Sequence, residues 1–117
     1  MIDVLTGSPR APQLIAVLDD DLFAPDLLIA EVFAFLRRMA AIGTLHDADQ
    51  LATALQQAPV DYLHTWPYAE RMWSWRHNMS PYDAAYVALA EDLGATLVTT
   101  DIRLAKAARG IVPVIAV

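Results

Sequence analysis

Apolar residues along this chain follow two spacings, one typical of helices and the other of short buried strands. The clearest helical spacing lies between Ser80 and Gly94. Its apolar positions predict one stripe, formed by Tyr82, Tyr86, Leu89 and Leu93. Ser80 suits the N-cap with Pro81 after it, and Gly94 suits a left-handed C-cap. The apolar run at residues 95–99 then predicts a buried strand.

Short apolar runs alternate with helical patterns over the rest of the chain. Strands are predicted at residues 22–24, 60–64 and 111–117. Helices are predicted at residues 12–18, 27–41 (capped by Asp26), 47–57, 67–77 and 102–108. This alternation is typical of an α/β fold with a mostly parallel sheet. No repeat or linker divides the 117 residues, so we expect a single domain over residues 1–117.

The composition of the chain restricts the classes of partner and the cellular location that we expect for it. The net charge of −6 argues against a broad nucleic-acid-binding surface, which would be basic. The absence of cysteine excludes disulfides and thiol chemistry. No uncharged apolar run is long enough to span a membrane and no signal peptide is visible, so the cytoplasm is the expected location. A hydrophobic fraction of 56% suggests that a partner covers part of the surface.

Glu31 is the most informative single residue because its neighbours in the sequence, residues 27–36, are otherwise apolar. An unpaired buried carboxylate costs several kcal/mol and favours the protonated form. A metal ion, a basic partner or a water-filled pocket would explain this glutamate. The alternatives are a narrow solvent-facing side of the helix or an ion pair with Arg38.

Asp83 and Asp101 mark the two ends of the best-patterned segment. Asp83 starts the helix and Asp101 follows the strand, so a helix antiparallel to its strand would bring both carboxylates to the carboxyl edge of the sheet. Each acid also has a structural interpretation. Ser80 and Asp83 match a capping box, and Asp101 suits the N-cap of the next helix. Together with Glu31, the acids form a candidate metal site.

Other polar and aromatic residues give weaker signals. The histidines, His46, His64 and His77, lack metal-ligand spacing. The arginines Arg37, Arg38 and Arg76 could contact phosphate or an acidic partner, or could lie at solvated helix ends. The aromatic cluster of Trp66, Tyr68, Trp73 and Trp75 is expected in the core or an interface, with base stacking as the alternative.

Three acidic motifs occur here in an order that is specific to one protein family. A glutamate in a long helix (Glu31), a Tyr-Asp-Ala helix start (Asp83) and a Thr-x-Asp sequence after a strand (Asp101) follow one another. Residues 78–90 and 97–104 are the strongest segments. In these features the chain resembles PIN-domain proteins, in particular the VapC-like toxins of toxin–antitoxin modules.

The resemblance implies a three-layer α/β/α fold and an endoribonuclease that depends on Mg²⁺ or Mn²⁺. In such enzymes, metal ions held by carboxylates activate water for attack on an RNA phosphodiester. By position, Glu31, Asp83 and Asp101 would be catalytic metal ligands, directly or through water. Thr99 and Ser80 would support the site.

The resemblance also implies the partners of the chain. Such toxins form homodimers and are inhibited by a cognate antitoxin, whose C-terminal segment lies near the acids. Arg37, Arg38 and Arg76 are the candidates for contact with that antitoxin or with the RNA substrate. No membrane partner is expected.

The first residues of the chain depart from the family pattern. The family opens with a strand that ends in Asp-Ala-Ser, whereas residues 1–7 here resemble the segment that follows that strand. We therefore expect the first strand and its aspartate to be absent, and ribonuclease activity to be weak or absent. The alternative function is a catalytically impaired PIN domain that binds an antitoxin or dimerises.

Overall fold

Five short strands form one sheet in the computed structural model, which describes residues 2–5, 21–43 and 47–117. The strands are β1 (Ile2–Leu5), β2 (Asp21–Pro25), β3 (Val60–Leu63), β4 (Thr96–Thr99) and β5 (Val114–Ala116). All neighbouring pairs are parallel, in the order β3-β2-β1-β4-β5. The predicted α/β class with a parallel sheet is therefore confirmed.

Helices connect the strands and cover both faces of the sheet. Those in the described ranges are α1 (Leu27–Ala41), α2 (Ala48–Gln57), α3 (Ala69–Ser74), α4 (Pro81–Leu93) and α5 (Ile102–Ala108), with a 3₁₀ turn at Trp66–Tyr68. The helix predicted at residues 12–18 lies outside the described residues. The strand order reverses direction after β3, so right-handed crossovers place α1 and α2 on one face and α3 to α5 on the other. This is the three-layer architecture. None of the described helices combines the length and apolar character needed to cross a bilayer.

The prediction that the first strand is absent is wrong. β1 occupies the centre of the sheet and pairs with both β2 and β4. Val4 is fully buried there, and without β1 the backbone edges of its two neighbours would be left unpaired inside the protein. The apolar residues Ile2, Val4 and Leu5 suffice for a central strand even though Asp3 interrupts them.

The helix α4 has the predicted ends but a different buried surface. The Ser80 hydroxyl accepts a hydrogen bond from the Asp83 N–H, and Gly94 has the left-handed φ of +61°. Residues 84–90 are all buried, because α4 packs between α3 and the strands β1, β2 and β4. Tyr82 of the predicted stripe is 63% exposed, since it lies in the first turn beyond this packing.

The predicted aromatic helix at residues 67–77 is divided into the 3₁₀ turn and α3. Trp75 is buried, and the Arg71 guanidinium lies 4.4 Å from its ring centroid. Arg71 also donates two hydrogen bonds of 2.9 Å to Glu91 of α4. These contacts hold α3 against the last turns of α4.

Candidate active site

Asp101 lies at the carboxyl end of β4, where its backbone and side chain are both held. The Thr99 hydroxyl, fully buried, accepts a 3.0 Å hydrogen bond from the Asp101 N–H. Asp101 Oδ1 accepts hydrogen bonds from the N–H groups of Arg103 and Leu104, at 2.9 and 3.2 Å. The aspartate therefore caps α5, as the structural interpretation predicted, and both capping bonds use the same one of its two oxygens.

Asp83 lies in the first turn of α4, half-buried, on the same edge of the sheet. Its N–H bond to the Ser80 hydroxyl measures 3.1 Å and fixes the start of the helix. Asp83 and Asp101 line one pocket of about 320 Å³, which we call the acid pocket. The other polar residues that line it are Asn78, Ser80 and Arg103. The predicted juxtaposition of the two aspartates is thus present in the fold.

The charge balance of the acid pocket is unfavourable for Asp83. Burial raises the pKa of the Asp83 carboxyl above its ordinary value, and the negative charge of Asp101 raises it further. A hydrogen bond with Ser80 and the charge of Arg103 act in the opposite direction but do not cancel the increase. A divalent cation between the two carboxylates would relieve this repulsion.

Glu31 faces the same region from α1. It is half-buried and accepts a hydrogen bond from the Tyr86 hydroxyl, one turn along α4 from Asp83. Burial raises the pKa of Glu31, the bond from Tyr86 lowers it, and the charge of Asp83 raises it. The tyrosine is thus the partner of this carboxylate. The alternative of an ion pair with Arg38 is wrong, because Tyr86 and Asp83, and not Arg38, are the side chains that act on Glu31.

The three arginines proposed as contact residues lie outside the acid pocket. Arg37 is exposed and lines a shallow groove between α1 and α2. Arg38 is exposed on the same helix. Arg76 is exposed beyond α3, with its guanidinium 4.8 Å from the Trp73 ring. The guanidinium in the acid pocket belongs to Arg103 instead.

The donor set of the acid pocket fits a hard divalent cation. Within the described ranges, no three His, Asp or Glu side chains are close enough to form a complete metal cage. Mg²⁺ does not need one, since it keeps several waters and binds through one or two carboxylates together with substrate phosphate. Asp83 and Asp101 supply that number of carboxylates, and Glu31 lies near enough for the charge of Asp83 to raise its pKa.

Comparison with known proteins identifies the family. Residues 1–110 match the PIN domain. The chain belongs to the PIN domain family. It is similar to VapC ribonuclease Mb0985 of Mycobacterium bovis, at 39% identity covering 94% of this chain and 87% of that protein. It is also similar to Ribonuclease VapC1 of Mycobacterium tuberculosis, at 42% identity covering 92% of this chain and 84% of that protein.

A solved structure supports this PIN domain's fold independently. The crystal structure of PAE2754 from Pyrobaculum aerophilum superposes with a TM-score of 0.72, at 22% identity. The match covers 97% of this PIN domain and 92% of that chain. At this identity the similarity concerns the fold alone, and it agrees with the resemblance inferred from the acidic motifs.

Two residues of the site were not recognised in the sequence. Tyr86 was assigned to the apolar stripe of α4, yet its hydroxyl binds Glu31 across 55 residues of sequence. The role of Arg103 was not predicted. Its position two residues after Asp101, the N-cap of α5, indicates that it lies near the Asp101 carboxylate. For Tyr86, the available signal in the sequence is its position one turn after Asp83, which places both side chains on the same face of α4.

Proposed function

We propose that this PIN domain is a metal-dependent endoribonuclease toxin of a toxin–antitoxin module, with its active site in the acid pocket. The observation that carries the proposal is that Asp83 and Asp101 line one pocket, where burial and then the charge of Asp101 raise the pKa of Asp83. The two curated relatives described above are named as ribonucleases, which supports RNA as the substrate.

The side chains of the site have distinct roles in this proposal. Asp83 and Asp101 would hold Mg²⁺ or Mn²⁺, and a bound ion of this kind would supply an activated water and offset the charge of the phosphodiester. Thr99 fixes the backbone of Asp101, and Ser80 fixes that of Asp83. Glu31, oriented by its hydrogen bond from Tyr86, is the third carboxylate near Asp83 and would contact the ion directly or through water.

The partners follow from the family and stay proposals for this chain. We propose a cognate antitoxin that binds near the acid pocket, a homodimer, and a cytoplasmic location. Arg37 and Arg38, exposed on α1, remain candidates for antitoxin contact. Arg76 lies closer to the acid pocket in the fold, because it lines a cavity that shares Met79 with it.

A second function, an impaired PIN domain that acts by binding, is favoured by one observation. The central strand β1 ends at Leu5, so its carboxyl end supplies no carboxylate to the sheet edge where Asp101 lies. Asp3 lies early in that strand, in register with Thr96, the first residue of β4. Weak activity, expected from the sequence, therefore stays a prediction.

Cleavage of RNA distinguishes these functions. A fluorescent single-stranded RNA is incubated with the purified protein in Mg²⁺, in Mn²⁺ and with EDTA. We expect slow cleavage that needs the metal and falls at least about 100-fold in Asp101→Asn, since a ligand of the metal is lost. The matched control is Asp61→Asn, an exposed aspartate on β3 outside the acid pocket. Cleavage that survives EDTA, or that is equal in both variants, contradicts the proposal.

A further inference from the structure

A second cavity, of about 530 Å³, adjoins the acid pocket. We call it the aromatic cavity. Its polar and aromatic lining comes from Asp26, His64, Thr65, Trp66, Trp73 and Arg76. Met79 lines both cavities, and Pro81 of the aromatic cavity follows Ser80 of the acid pocket directly. The volume lies within the roughly 300–1,000 Å³ of small-molecule sites. A ligand could therefore extend from one cavity into the other.

The indoles of the aromatic cavity are open to solvent. Trp66 is 81% exposed and Trp73 is 68% exposed, whereas Trp75, two residues further, is 7% exposed in the core. Contiguous exposed apolar surface with a polar rim often marks an interaction site or a ligand-binding groove on a soluble protein. Trp75 is therefore part of the core, whereas Trp66 and Trp73 are accessible to a ligand at the cavity.

A cation is fixed over one of these indoles. The Arg76 guanidinium lies 4.8 Å from the Trp73 ring centroid, and its Nη1 donates a 3.1 Å hydrogen bond to the Trp73 carbonyl oxygen. The two planar groups are therefore held together. Indole faces and stacked arginine planes are the surfaces on which proteins bind unpaired bases of single-stranded nucleic acid.

We propose that the aromatic cavity binds a base of the single-stranded RNA whose phosphodiester lies in the acid pocket. This inference rests on the proposed ribonuclease function and names the feature of the substrate that the cavity recognises. The shared wall at Met79 joins the two positions, as neighbouring nucleotides of one strand require. Arg76 gives the cavity a cation beside the exposed indoles, and this combination favours an RNA strand over an apolar protein segment, with Asp26 as the one acid among the described lining residues.

Stacking is also compatible with the acidity of the chain. Contacts to base faces need no broad basic surface, and their strength depends little on base identity. Mg²⁺ in the acid pocket would offset the repulsion between its carboxylates and the RNA backbone. Stacking at the aromatic cavity would then contribute affinity that a chain with few basic residues cannot obtain from phosphate contacts.

The test measures RNA binding in the absence of cleavage. A fluorescent, nuclease-resistant single-stranded RNA with 2′-O-methyl sugars and phosphorothioate linkages is titrated with protein in Mg²⁺, and its anisotropy gives Kd. We expect Trp66→Leu and Trp73→Leu each to weaken binding by roughly 5- to 100-fold, the loss of one stacked base. The matched control, Phe33→Leu, removes an aromatic ring from the groove between α1 and α2 and should leave Kd unchanged.

Two further measurements test separately whether the RNA base and the planar guanidinium of Arg76 contribute to binding. An abasic analogue of the same oligonucleotide should bind weakly, and equally to the wild type and both tryptophan variants. Arg76→Lys keeps the charge but loses the plane, so it should weaken binding nearly as much as Arg76→Ala. Full rescue by lysine would assign the residue to a simple phosphate contact and overturn its stacking role.

The outcomes separate this inference from the proposed function. Equal RNA affinity in the wild type and both tryptophan variants, or no RNA binding by the wild type, overturns the base site and leaves a protein partner as its occupant. The Asp101→Asn cleavage and metal measurements do not depend on that result. Conversely, tryptophan-dependent binding without any metal-dependent cleavage supports the base site and rejects the nuclease. Circular dichroism of each variant confirms that the fold is retained.

Discussion

Asp83 and Asp101 each serve the fold and the candidate site with different atoms. Asp101 caps α5 through Oδ1, and its N–H is bound by Thr99. The N–H of Asp83 is bound by Ser80, while its carboxyl lines the acid pocket. Capping and metal binding, which the sequence presented as alternatives, are therefore compatible, and local patterns correctly located both carboxylates.

The carboxyl of Asp83 should cost stability at neutral pH. Its pKa is raised in the folded protein, so the folded state binds a proton more tightly than the unfolded state. The protonated carboxyl of Asp83 therefore contributes its full stability when the pH is below the pKa that Asp83 has in the unfolded chain. This contribution is lost as the pH rises through the higher pKa of the folded protein. We expect Asp83→Asn to raise the Tm at pH 7 without metal, and the gain to shrink towards about pH 4.

Scanning calorimetry in EDTA at several pH values measures this effect. Asp61→Asn, an exposed carboxylate on β3, is the control and should shift the Tm little at any pH. An increase in Tm for Asp83→Asn that is constant with pH, or a decrease in Tm at pH 7, would contradict the destabilisation of the Asp83 carboxylate by burial and by the charge of Asp101.

Thr99 should hold Asp101 through a single buried hydroxyl. In Thr99→Val the shape is nearly kept, but the Asp101 N–H loses its 3.0 Å acceptor. We expect a loss of roughly 1–3 kcal/mol in the free energy of unfolding, measured by urea denaturation. Thr53→Val removes an exposed hydroxyl bond to the Asp49 carbonyl oxygen and should cost within about 0.5 kcal/mol. Equal losses of unfolding free energy in Thr99→Val and Thr53→Val would show that the buried hydrogen bond stabilises the protein no more than the exposed one.

At the scale of elements, local signals located helix ends well and packing poorly. The predicted helix at residues 102–108 and the Ser80 and Gly94 caps of α4 are confirmed, because caps depend on a few adjacent residues. The extent of burial on α4 could not be read from spacing, since α3 and the sheet enclose it from opposite sides. The order of segments in the family wrongly predicted that β1 is absent, whereas three of the four residues at 2–5 are apolar and suit a buried strand.

The N-cap of α4 gives a test at this scale. In Ser80→Ala the Asp83 N–H loses its acceptor, and we expect a loss of about 1 kcal/mol in the free energy of unfolding. Asparagine is also a good N-cap, so Ser80→Asn should restore most of that stability. Chemical denaturation of the three proteins measures the series, and an Asn variant as unstable as the Ala variant would reject the cap as the cause.

At the scale of the whole molecule, the site is assembled from elements distant in the sequence. The alternation of strands and helices predicted a fold that brings Asp83 and Asp101 to one edge of the sheet. The bond between Glu31 and Tyr86 spans 55 residues and depends on how α1 and α4 lie relative to each other. No local pattern carries that information, which is why the glutamate was recognised and its partner was not.

The central claim is that the acid pocket holds a divalent metal ion, and titration calorimetry with Mn²⁺ and Mg²⁺ tests it most directly. We expect binding by the wild type, none or at least tenfold weaker binding in Asp83→Asn and Asp101→Asn, and unchanged binding in Asp61→Asn. The Tm should rise in parallel, by an amount equivalent to about 2.7 kcal/mol when the metal is at 100 times its Kd. Absence of binding by the wild type, or equal binding by all four proteins, would contradict the account.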